Sequence, residues 1–421
     1  MPKIQSIKGM NDILPNKTFI WRKIENIFSN IFNKYGYQEI RFPILEKANL
    51  FLRSPVEITN SLQKEIYIFQ DKKNHYIALR PEGTAGCVRA GIEHGLFHKK
   101  KQKLWYIGPM FRYEQPQMGR YRQFHQIGAE TYGFSGPEID IELILMCNRC
   151  FKTLGILENI RLEINTLGTF DERKKYSNSL VDYFNKYAND LDNQTKKLIN
   201  KNPLRILDKN NVSLKSIIEN APLLVDFLGK ESRKYFEKFC QLLEIFNLNY
   251  QLNPRLVRGL DYYNHTVFEW INKKKFAQGT ICAGGRYNNL TKELGGGKIP
   301  AIGMAIGLER LMFLIKICSL EKKINIYFIL ENQSLWIKAL KISESIRDHI
   351  SNIKIEINDS YRSIKSQFKK ANKYKADYVV IIKKKLKHEN NIFLKKLNYI
   401  KKPVAINSQK LLKYFIYVYK K

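Results

Sequence analysis

Residues 104–130 of the chain have the sequence LWYIGPMFRYEQPQMGRYRQFHQIGAE. The pattern predicts two β-strands joined by a polar loop that contains Gly and Pro. Because alternate side chains of a strand share a face, Arg112 and Glu114 are expected together on the first strand. The same rule puts four residues on one face of the second strand: Phe124, Gln126, Gly128 and Glu130.

That face has the chemistry of a nucleotide site. A guanidinium can bind a phosphate, an aromatic ring can stack on a base, and a carboxylate can accept a hydrogen bond from an exocyclic amine. A strand face that only meets solvent would more typically carry Lys, Thr and Ser. His125 falls on the opposite face of its strand, so we expect a structural role for it.

Composition sets the broad class of the protein. A chain of 421 residues predicts two or three domains, each with its own core. No apolar run approaches the ~20 residues of a membrane span, and the N-terminus has neither an apolar signal core nor an Arg-rich leader. These features predict a cytoplasmic protein without a membrane partner.

The chain is strongly basic, with 72 Lys and Arg against 39 Asp and Glu and a net charge of +33. Such an excess suggests a polyanionic partner that is bound through its phosphates. Lys, Ile and Asn are all abundant, however, as in proteins of AT-rich genomes, so charge alone is moderate evidence for nucleic acid.

The cysteines do not indicate a metal site. Cys147 and Cys150 form a CxxC motif, but it lies in a helical pattern with no second pair and no His at zinc spacing. We expect two apolar residues on one helix, a reducing compartment and no structural metal.

The order of patterns predicts an α+β fold with two domains. An amphipathic helix over 17–35 is followed by Gly36, and a capping box over Ser135–Glu138 predicts a second helix. Residues 1–323 would form one domain, interrupted by a helical insertion at about 168–250. Residues 324–421 alternate strands with helices, which predicts a small α/β domain with a partly parallel sheet.

The Gly-rich segments do not match phosphate-binding loops. GGGKIP lacks the spacing of a P-loop, and GGRYNNL is not a GxGxxG motif that opens a helix. We therefore expect a pocket on an antiparallel sheet, with arginines holding the phosphates.

Three further segments would complete this pocket. In ALRPEGTAGCVRA, an extended chain would put Arg80, Glu82 and Thr84 on one side. In LVRGLDYYN, Arg258 and Tyr263 flank a turn. AIGMAIGLERL predicts a strand whose small residues, such as Gly303, let a flat ring approach, followed by a helix whose first turn carries Arg310.

Together these segments resemble class II aminoacyl-tRNA synthetases, specifically the histidyl-tRNA synthetase family. RFP at 41–43 resembles motif 1, FRYE at 111–114 with RYRQF at 120–124 resembles motif 2, and GMAIGLERL resembles motif 3. LVRGLDYYN and GGRYNNL resemble the two histidine-specific segments. The resemblance covers nearly the whole chain, and it implies a class II antiparallel catalytic sheet flanked by helices, with an anticodon-binding C-terminal domain.

The resemblance also implies a role for each matching residue. The ATP-binding residues would be Arg112 and Arg258 at the α-phosphate, Glu114 at the adenine amino group, Phe124 stacked on adenine, and Arg120 and Arg310 at the γ-phosphate. The histidine-binding residues would be Glu82, Thr84 and Gln126 at the ammonium, and Glu130, Tyr262, Tyr263 and Tyr287 around the imidazole, with Arg258 beside them. Arg112 and Arg258 would be catalytic, and Arg258 would take part of a metal ion's role.

The implied substrates are L-histidine, ATP with Mg²⁺, and tRNA(His) rather than DNA. Histidine would attack the α-phosphorus, and the tRNA would then attack the histidyl-adenylate, with positioning and charge neutralisation supplying the rate. A neutral imidazole has one donor and one acceptor nitrogen, so a carboxylate and a phenol can satisfy both. A homodimer through the segment around Pro43 is implied as well.

Two departures from the family pattern lie in the motif 2 loop, where Gln115 replaces a usual Arg and Met118 replaces a polar residue. They concern contacts with the tRNA end. One alternative function is a catalytically inactive, histidine-sensing regulatory paralogue, which would lack the C-terminal domain and the ATP arginines. Another is a nucleotide-binding RNA chaperone, for which ATP–pyrophosphate exchange would not require histidine.

Overall fold

The computed structural model describes residues 3–52, 65–98, 101–207, 214–274, 279–315, 324–351, 353–359, 363–384, 392–397, 399 and 402–420. The chain divides into two compact units, Met1–Lys316 and Ile317–Lys421. Within the described ranges, no helix combines the length and the apolar content needed to cross a membrane.

The first unit is built on a large, mostly antiparallel sheet. In chain order the strands of the first unit are β1 (Gln38–Glu39), β2 (Leu45–Lys47), β3 (Ile68–Gln70), β4 (Tyr76–Leu79), β5 (Gln102–Phe111), β6 (Gln123–Tyr132), β7 (Ile160–Thr166), β8 (Tyr250–Leu252), β9 (Asn264–Asn272), β10 (Thr280–Arg286) and β11 (Ala301–Gly307). The eight-stranded sheet has the order β1-β5-β6-β11-β10-β9-β7-β8, and a three-stranded sheet has the order β2-β4-β3. In the large sheet only the outer pairs, β1 with β5 and β7 with β8, are parallel.

Helices cover this sheet and fill the insertion. In chain order they are α1 (Pro15–Lys34), α2 (Thr84–Glu93), α3 (Glu138–Thr153), α4 (Phe170–Lys186), α5 (Asn193–Lys201), α6 (Leu204–Leu207), α7 (Lys215–Glu219), α8 (Lys230–Ile245), α9 (Leu290–Glu293) and α10 (Leu308–Met312). The first predicted helix is confirmed: Pro15 opens α1, and Gly36 follows its end with φ +78°. Its buried side includes Trp21 and Phe32, whereas Phe19 of the same helix is 37% exposed.

The predicted hairpin is confirmed as β5 and β6, paired from Gln102 opposite Tyr132 to Phe111 opposite Gln123. The expectation that Arg112 and Glu114 lie on the first strand is wrong, because β5 ends at Phe111. Tyr113 donates its backbone N–H to the Glu65 carbonyl at 2.6 Å instead of across the hairpin. Arg112 still donates its backbone N–H across the hairpin to the Arg122 carbonyl at 2.9 Å, so the chain turns away from the ladder only from Tyr113 onward.

Helix α3 confirms one expectation and corrects another. Cys147 and Cys150 are free thiols buried in its core-facing side, as expected for apolar residues. The predicted capping box is wrong, because Pro137 occupies the N-cap and no side chain caps the helix. The Glu138 carboxylate pairs with Lys238 of α8 rather than reaching back to the helix end.

Between β7 and β8 the described chain is helical, from α4 to α8. Helix α4 begins with a capping box in which Thr169 accepts the N–H of Glu172, and the Glu172 carboxylate accepts the N–H of Thr169. One apolar cluster joins Leu180 and Phe184 of α4 to Tyr263 and other aromatic rings beside the central sheet. The insertion therefore shares a core with the sheet domain.

Removing the α4 cap should lower stability modestly. We expect Thr169→Ala to reduce the free energy of unfolding of the first unit by about 1 kcal/mol, because the backbone N–H of Glu172 loses the Thr169 hydroxyl that accepts its hydrogen bond. Urea unfolding followed by tryptophan fluorescence measures this loss. Asn178→Ala, at an exposed position of the same helix, is the control and should be neutral or stabilising by up to about 0.5 kcal/mol. An unchanged urea midpoint for Thr169→Ala would contradict the prediction.

The second unit contains a five-stranded sheet and three helices. Its elements are β12 (Ile324–Leu330), α11 (Trp336–His349), β13 (Ile353–Ile357), α12 (Ile364–Lys373), β14 (Tyr378–Ile382), β15 (Ile392–Lys396), β16 (Val404–Ile406) and α13 (Ser408–Lys420). The order is β13-β12-β14-β15-β16, with β12 parallel to both neighbours and β15 antiparallel to both of its own. The predicted α+β class and the partly parallel sheet are confirmed.

Candidate functional site

Three arginines converge over the central sheet from separate parts of the chain. Arg112 follows β5, Arg120 lies in the hairpin loop, and Arg310 is on α10. Burial, together with the positive charges of Arg112 and Arg120, lowers the pKa of Arg310 to about 10. Like charges held this close are stabilised by an anion between them. The predicted phosphate-binding arginines are therefore brought together.

Backbone carbonyls orient two of these guanidinium groups. Arg112 Nε donates to the Pro81 carbonyl at 2.9 Å, and the Arg112 guanidinium carbon lies 5.0 Å from the centre of the Phe124 ring. Arg310 donates through Nε to the Gly119 carbonyl at 2.9 Å and through Nη1 to the Thr280 carbonyl at 2.8 Å. The arginines are thus fixed before any ligand binds.

Two carboxylates lie beside the arginines. Glu114 Oε2 is 3.0 Å from Arg120 Nε, but the contact lacks hydrogen-bond geometry and this buried oxygen has no hydrogen-bond partner among the described residues. Burial raises the pKa of Glu65, and the negative charge of Glu114 raises it further. Glu65 was not among the predicted residues, because it is distant in sequence and carries no motif.

Glu130 of β6 is fully buried within a ring of hydroxyl groups. Thr84 Oγ1 donates to it at 2.7 Å, Tyr106 Oη donates at 3.1 Å, and Tyr287 Oη donates to its second oxygen. Burial raises the pKa of Glu130, and the three hydrogen bonds lower it only in part. The pKa of Glu130 is therefore raised to about 8. A ligand with a polarised N–H would stabilise the charged carboxylate.

The structure changes the expected role of one glycine and adds one tyrosine. A Cβ on Gly303 would lie 1.5 Å from Glu130 Oε2, so the space at this glycine holds the Glu130 carboxylate and not a ligand ring. Tyr106 was missed. Its place opposite Gly128, two residues before Glu130 on β6, is the signal that puts it on the same sheet face.

The expected extended run of Arg80, Glu82 and Thr84 is wrong, because β4 ends at Leu79 and Thr84 begins α2. The Glu82 carboxylate caps that helix by accepting the N–H groups of Thr84 at 2.5 Å and Ala85 at 3.0 Å. Arg80 turns away and donates to the Phe42 and Pro109 carbonyls.

Glu82 and Thr84 still meet the Glu130 group. The negative charge of Glu82 contributes to the raised pKa of Glu130, after burial. On the same face of β6 as Glu130, the buried Oε1 of Gln126 finds no hydrogen-bond partner in the described part of the chain. An unused acceptor and a helix-capping carboxylate suit a ligand ammonium.

Three tyrosines close the other side of Glu130. The ring centres of Tyr262 and Tyr263 are 4.7 Å apart, and those of Tyr262 and Tyr287 are 5.6 Å apart. Burial raises the pKa of all three phenols, so they stay neutral and can donate or accept hydrogen bonds. The predicted set around the imidazole lies together.

Arg258 lies at the edge of this tyrosine group, with its guanidinium carbon 5.6 Å from the centre of the Tyr263 ring. It forms an ion pair with Glu269 of β9, which in turn accepts a bond from Thr280 at 2.7 Å. Its buried Nε has no hydrogen-bond partner among the residues that the structure describes. Glu269 was missed, because a single carboxylate in a strand gives no signal.

His125 lies on the opposite side of β6, as strand parity predicts. Its Nδ1 is 3.0 Å from a carboxylate oxygen of Glu309, and its ring packs edge-on against Trp21 at 4.8 Å between centres. The motif 2 loop carries Gln115 and Met118 into solvent. Neither position contributes to the buried site.

Known proteins resemble this chain over most of its length. The sequence profile described as "Histidyl-tRNA synthetase" matches residues 9–311. A protein named histidine–tRNA ligase from Legionella pneumophila (strain Lens) is 49% identical over 384 residues, which cover 90% of each chain. The ligase of the same name from Blochmanniella pennsylvanica (strain BPEN) is 48% identical over 400 residues, covering 94% of this chain and 91% of its own.

A solved structure agrees with these sequence matches. The crystal structure of apo S. aureus histidyl-tRNA synthetase matches with a TM-score of 0.80 and 32% identity, and the match covers 98% of this chain and all of that one. The extent of these matches and the class II motifs in the site lead to one conclusion. This chain belongs to the histidyl-tRNA synthetase family.

Proposed function

We propose that the protein attaches L-histidine to tRNA(His) through a histidyl-adenylate and releases pyrophosphate and AMP. The observation that carries this proposal is the convergence of Arg112, Arg120 and Arg310, whose positive charges repel one another. A triphosphate would neutralise that repulsion. The Glu130 group beside it supplies a second, smaller site with the polarity that an imidazole requires.

ATP would bind along the arginines. Arg112 would hold the α-phosphate, and Arg120 and Arg310 would hold the γ-phosphate end. The adenine would stack on the face of Phe124 away from Arg112, and its amino group would donate to Glu114. The buried Oε2 of Glu114 supports this assignment, because it lacks a hydrogen-bond partner within the described residues.

ATP enters such reactions as its magnesium complex, and the site fits that cation. Mg²⁺ typically takes one or two carboxylates together with phosphate oxygens and waters. Glu65 and Glu114 are adjacent carboxylates beside the arginines, and the charge of Glu114 raises the pKa of Glu65. Glu65, which the adenine contact leaves unused, would help to hold Mg²⁺, which would supply charge neutralisation at the phosphates when bound.

Histidine would bind in the Glu130 group. Gln126 Oε1, Glu82 and Thr84 would receive the ammonium, and Glu130 and Tyr263 would satisfy the two ring nitrogens. Tyr262 and Tyr287 would exclude water from the ring. An apolar analogue would leave these buried groups unpaired, which the site should reject by about 10⁴-fold.

The first step would join the two substrates. A carboxylate oxygen of histidine attacks the α-phosphorus, an acyl–phosphate bond forms, and the bond to the β-phosphate breaks with release of pyrophosphate. Negative charge grows on the α-phosphate oxygens during this step. Arg112 and the unpaired Nε of Arg258 can donate to those oxygens, and no enzyme nucleophile is required.

In the second step a ribose hydroxyl at the tRNA 3′ end attacks the histidyl carbonyl carbon. The new ester bond forms, the acyl–phosphate bond breaks, and AMP leaves with its negative charge facing Arg112 and Arg258. The exposed loop of Gln115 and Met118 would face the tRNA end. The basic character of the chain, +33 overall, supports a polyanionic substrate.

The inactive, histidine-sensing alternative finds no support in the site. It predicts eroded phosphate arginines, whereas Arg112, Arg258 and Arg310 are all present and oriented. The sensing alternative also predicts a chain that lacks the second unit. In this protein the second unit is present and has its own buried core.

The proposed function is tested by ATP–pyrophosphate exchange with each of the twenty amino acids and no tRNA. We expect exchange with histidine alone, because the adenylate forms before tRNA binds. If the folded protein showed no histidine-dependent exchange in the presence of Mg²⁺, that result would overturn the proposal in favour of the sensing alternative. Exchange independent of histidine would favour the chaperone.

We assign anticodon contacts to the second unit, residues 324–421, which has its own apolar core. Deleting 324–421 should leave histidine-dependent exchange within about threefold of the full chain but lower tRNA charging by at least about 100-fold, since many phosphate contacts would be lost. Parallel exchange and charging assays measure the two effects. Equal loss of both activities would show that the unit supports folding or assembly instead.

We also propose a homodimer formed through the segment around Pro43. Next to it, Ile44 and Leu45 have 42% and 46% of their surface exposed, which is unusual for two consecutive large apolar residues. Sedimentation equilibrium of the full chain measures the mass directly. A monomer at micromolar concentration would refute this assignment.

A further inference from the structure

The loop that carries Arg258 and Tyr263 has a second set of contacts, on the side away from the substrates. Residues 253–263 connect β8 to β9 without regular structure. Opposite this loop stand α4 and α6 of the insertion, and two arginines on these helices donate to backbone carbonyls of the loop. Neither Arg173 nor Arg205 belongs to the site already described.

Arg173 binds two carbonyls at once. Its Nη1 donates to the Tyr263 carbonyl at 2.6 Å, and its Nη2 donates to the Asp261 carbonyl at 3.1 Å. The Phe170 ring, centred 4.4 Å from its guanidinium carbon, holds the group in place, and the capping box at Thr169 fixes the start of the helix. A planar fork with two donors therefore defines the backbone next to Tyr263.

Arg205 binds the loop at the residue after Arg258. Its Nη2 donates to the Gly259 carbonyl at 3.0 Å. In the opposite direction, Arg255 of the loop donates through Nη1 to the Pro222 carbonyl at 2.7 Å and through Nη2 to the Glu219 carbonyl at 3.1 Å. The helical insertion and the loop are thus joined by hydrogen bonds on both sides of Arg258.

Side-chain packing covers only part of this contact: Tyr262 and Tyr263 share an apolar cluster with α4, but another part is open. A cavity of about 390 Å³ lies between the insertion and the loop, and Arg173, Arg205 and Arg258 all line it. Across this opening, few protein atoms are close enough for dispersion attraction to fix the spacing. The guanidinium–carbonyl bonds are directional, so they define the backbone position on the open side of this contact.

We propose that Arg173 and Arg205 are positioning residues, through which the helical insertion holds Arg258 and Tyr263 in the geometry needed for adenylate formation. This inference rests on the proposed function of Arg258. Misplacing a reacting group by about 1 Å can cost about 10²-fold in rate. The insertion would therefore set the rate of the first chemical step without touching either substrate.

The test measures ATP–pyrophosphate exchange with the full chain carrying Arg173→Ala or Arg205→Ala. We expect kcat to fall by about 10²-fold for Arg173→Ala, which frees two carbonyls, and by about tenfold for Arg205→Ala, which frees one. The KM for ATP should stay within about twofold, because the phosphate arginines are held by other carbonyls. Arg233→Ala is the matched control, since that guanidinium binds the Val225 carbonyl within the insertion, and it should keep full activity.

Two further variants separate positioning from general damage. Arg205→Lys should recover most of the rate, because one ammonium can serve one carbonyl, whereas Arg173→Lys should recover only part. In a double-mutant cycle, adding Arg205→Ala to Arg258→Ala should cause no further loss of kcat, because the group being positioned is absent. Full additivity in that cycle, or unchanged kcat in both alanine variants, would overturn the inference. An Arg258→Ala variant with normal kcat would instead refute the proposed role of Arg258.

Discussion

Arg258→Ala should lower kcat for histidine-dependent ATP–pyrophosphate exchange by at least about 100-fold, while the KM for histidine changes less than about threefold. The reason is the unpaired Nε of Arg258, a buried donor that finds no partner among the described residues until negative charge develops on the α-phosphate. An interaction made mainly in the transition state affects the rate and spares ground-state binding.

Two variants control this experiment. Arg149→Ala removes an exposed arginine of α3 that donates to the Tyr35 hydroxyl outside the site, and it should leave exchange unchanged. Arg258→Lys keeps a positive charge opposite Glu269 but lacks the planar fork, so it should remain at least about tenfold below the unmodified protein. If Arg258→Ala raised the KM for histidine and left kcat intact, Arg258 would be a binding residue and not a catalytic one.

Glu130→Gln should have the larger effect, lowering kcat/KM for histidine by about 10³-fold while the KM for ATP stays within about twofold. The substitution replaces the Glu130 carboxylate, which would accept a ring N–H of histidine, by a neutral amide in a fully buried site. Loss of a buried charged partner costs about 2–5 kcal/mol of binding free energy. Thr131→Val, at the next residue and on the other sheet face, is the control. A normal kcat/KM for Glu130→Gln would show that the imidazole binds elsewhere.

The same variant carries a signature in stability. The pKa of Glu130 is raised from its ordinary value near 4.5 to about 8 in the folded protein. Between these two pKa values the folded state keeps a proton that the unfolded state releases. The free energy of unfolding therefore decreases as pH rises from about 4.5 to about 8.

Glu130→Gln cannot ionise, so its unfolding midpoint should fall less than that of the unmodified protein between pH 5 and pH 8. The hydroxyl groups of Thr84, Tyr106 and Tyr287 can accept hydrogen bonds from the NH₂ group of the new amide and can donate hydrogen bonds to its oxygen. Thermal unfolding across this pH range, on both proteins, measures the difference. Identical pH profiles would mean that Glu130 is already ionised in the free enzyme.

Strand parity predicted which residues share a face of β6, and it failed where the chain leaves the ladder. Phe124, Gln126 and Glu130 lie on a regular strand, so their shared face followed from alternation alone. Arg112 and Glu114 lie beyond the last ladder pair, and Glu82 sits in a helix cap. Arg112 and Glu114 are placed by the backbone hydrogen bond from Tyr113 to Glu65, and Glu82 is placed by its bonds to the first N–H groups of α2. No local sequence pattern predicts these bonds.

The sequence by itself determined the elements, the family and the inventory of charged groups, because these depend on local periodicity and on motifs that are continuous in the chain. The tertiary structure alone decided how those groups act on each other: that Glu130 is enclosed by hydroxyls, that Glu269 pairs with Arg258, and that the insertion holds the Arg258 loop. Hydrogen bonds and desolvation depend on distances of a few ångströms between residues that are far apart in the chain. Only the folded packing of the chain fixes those distances.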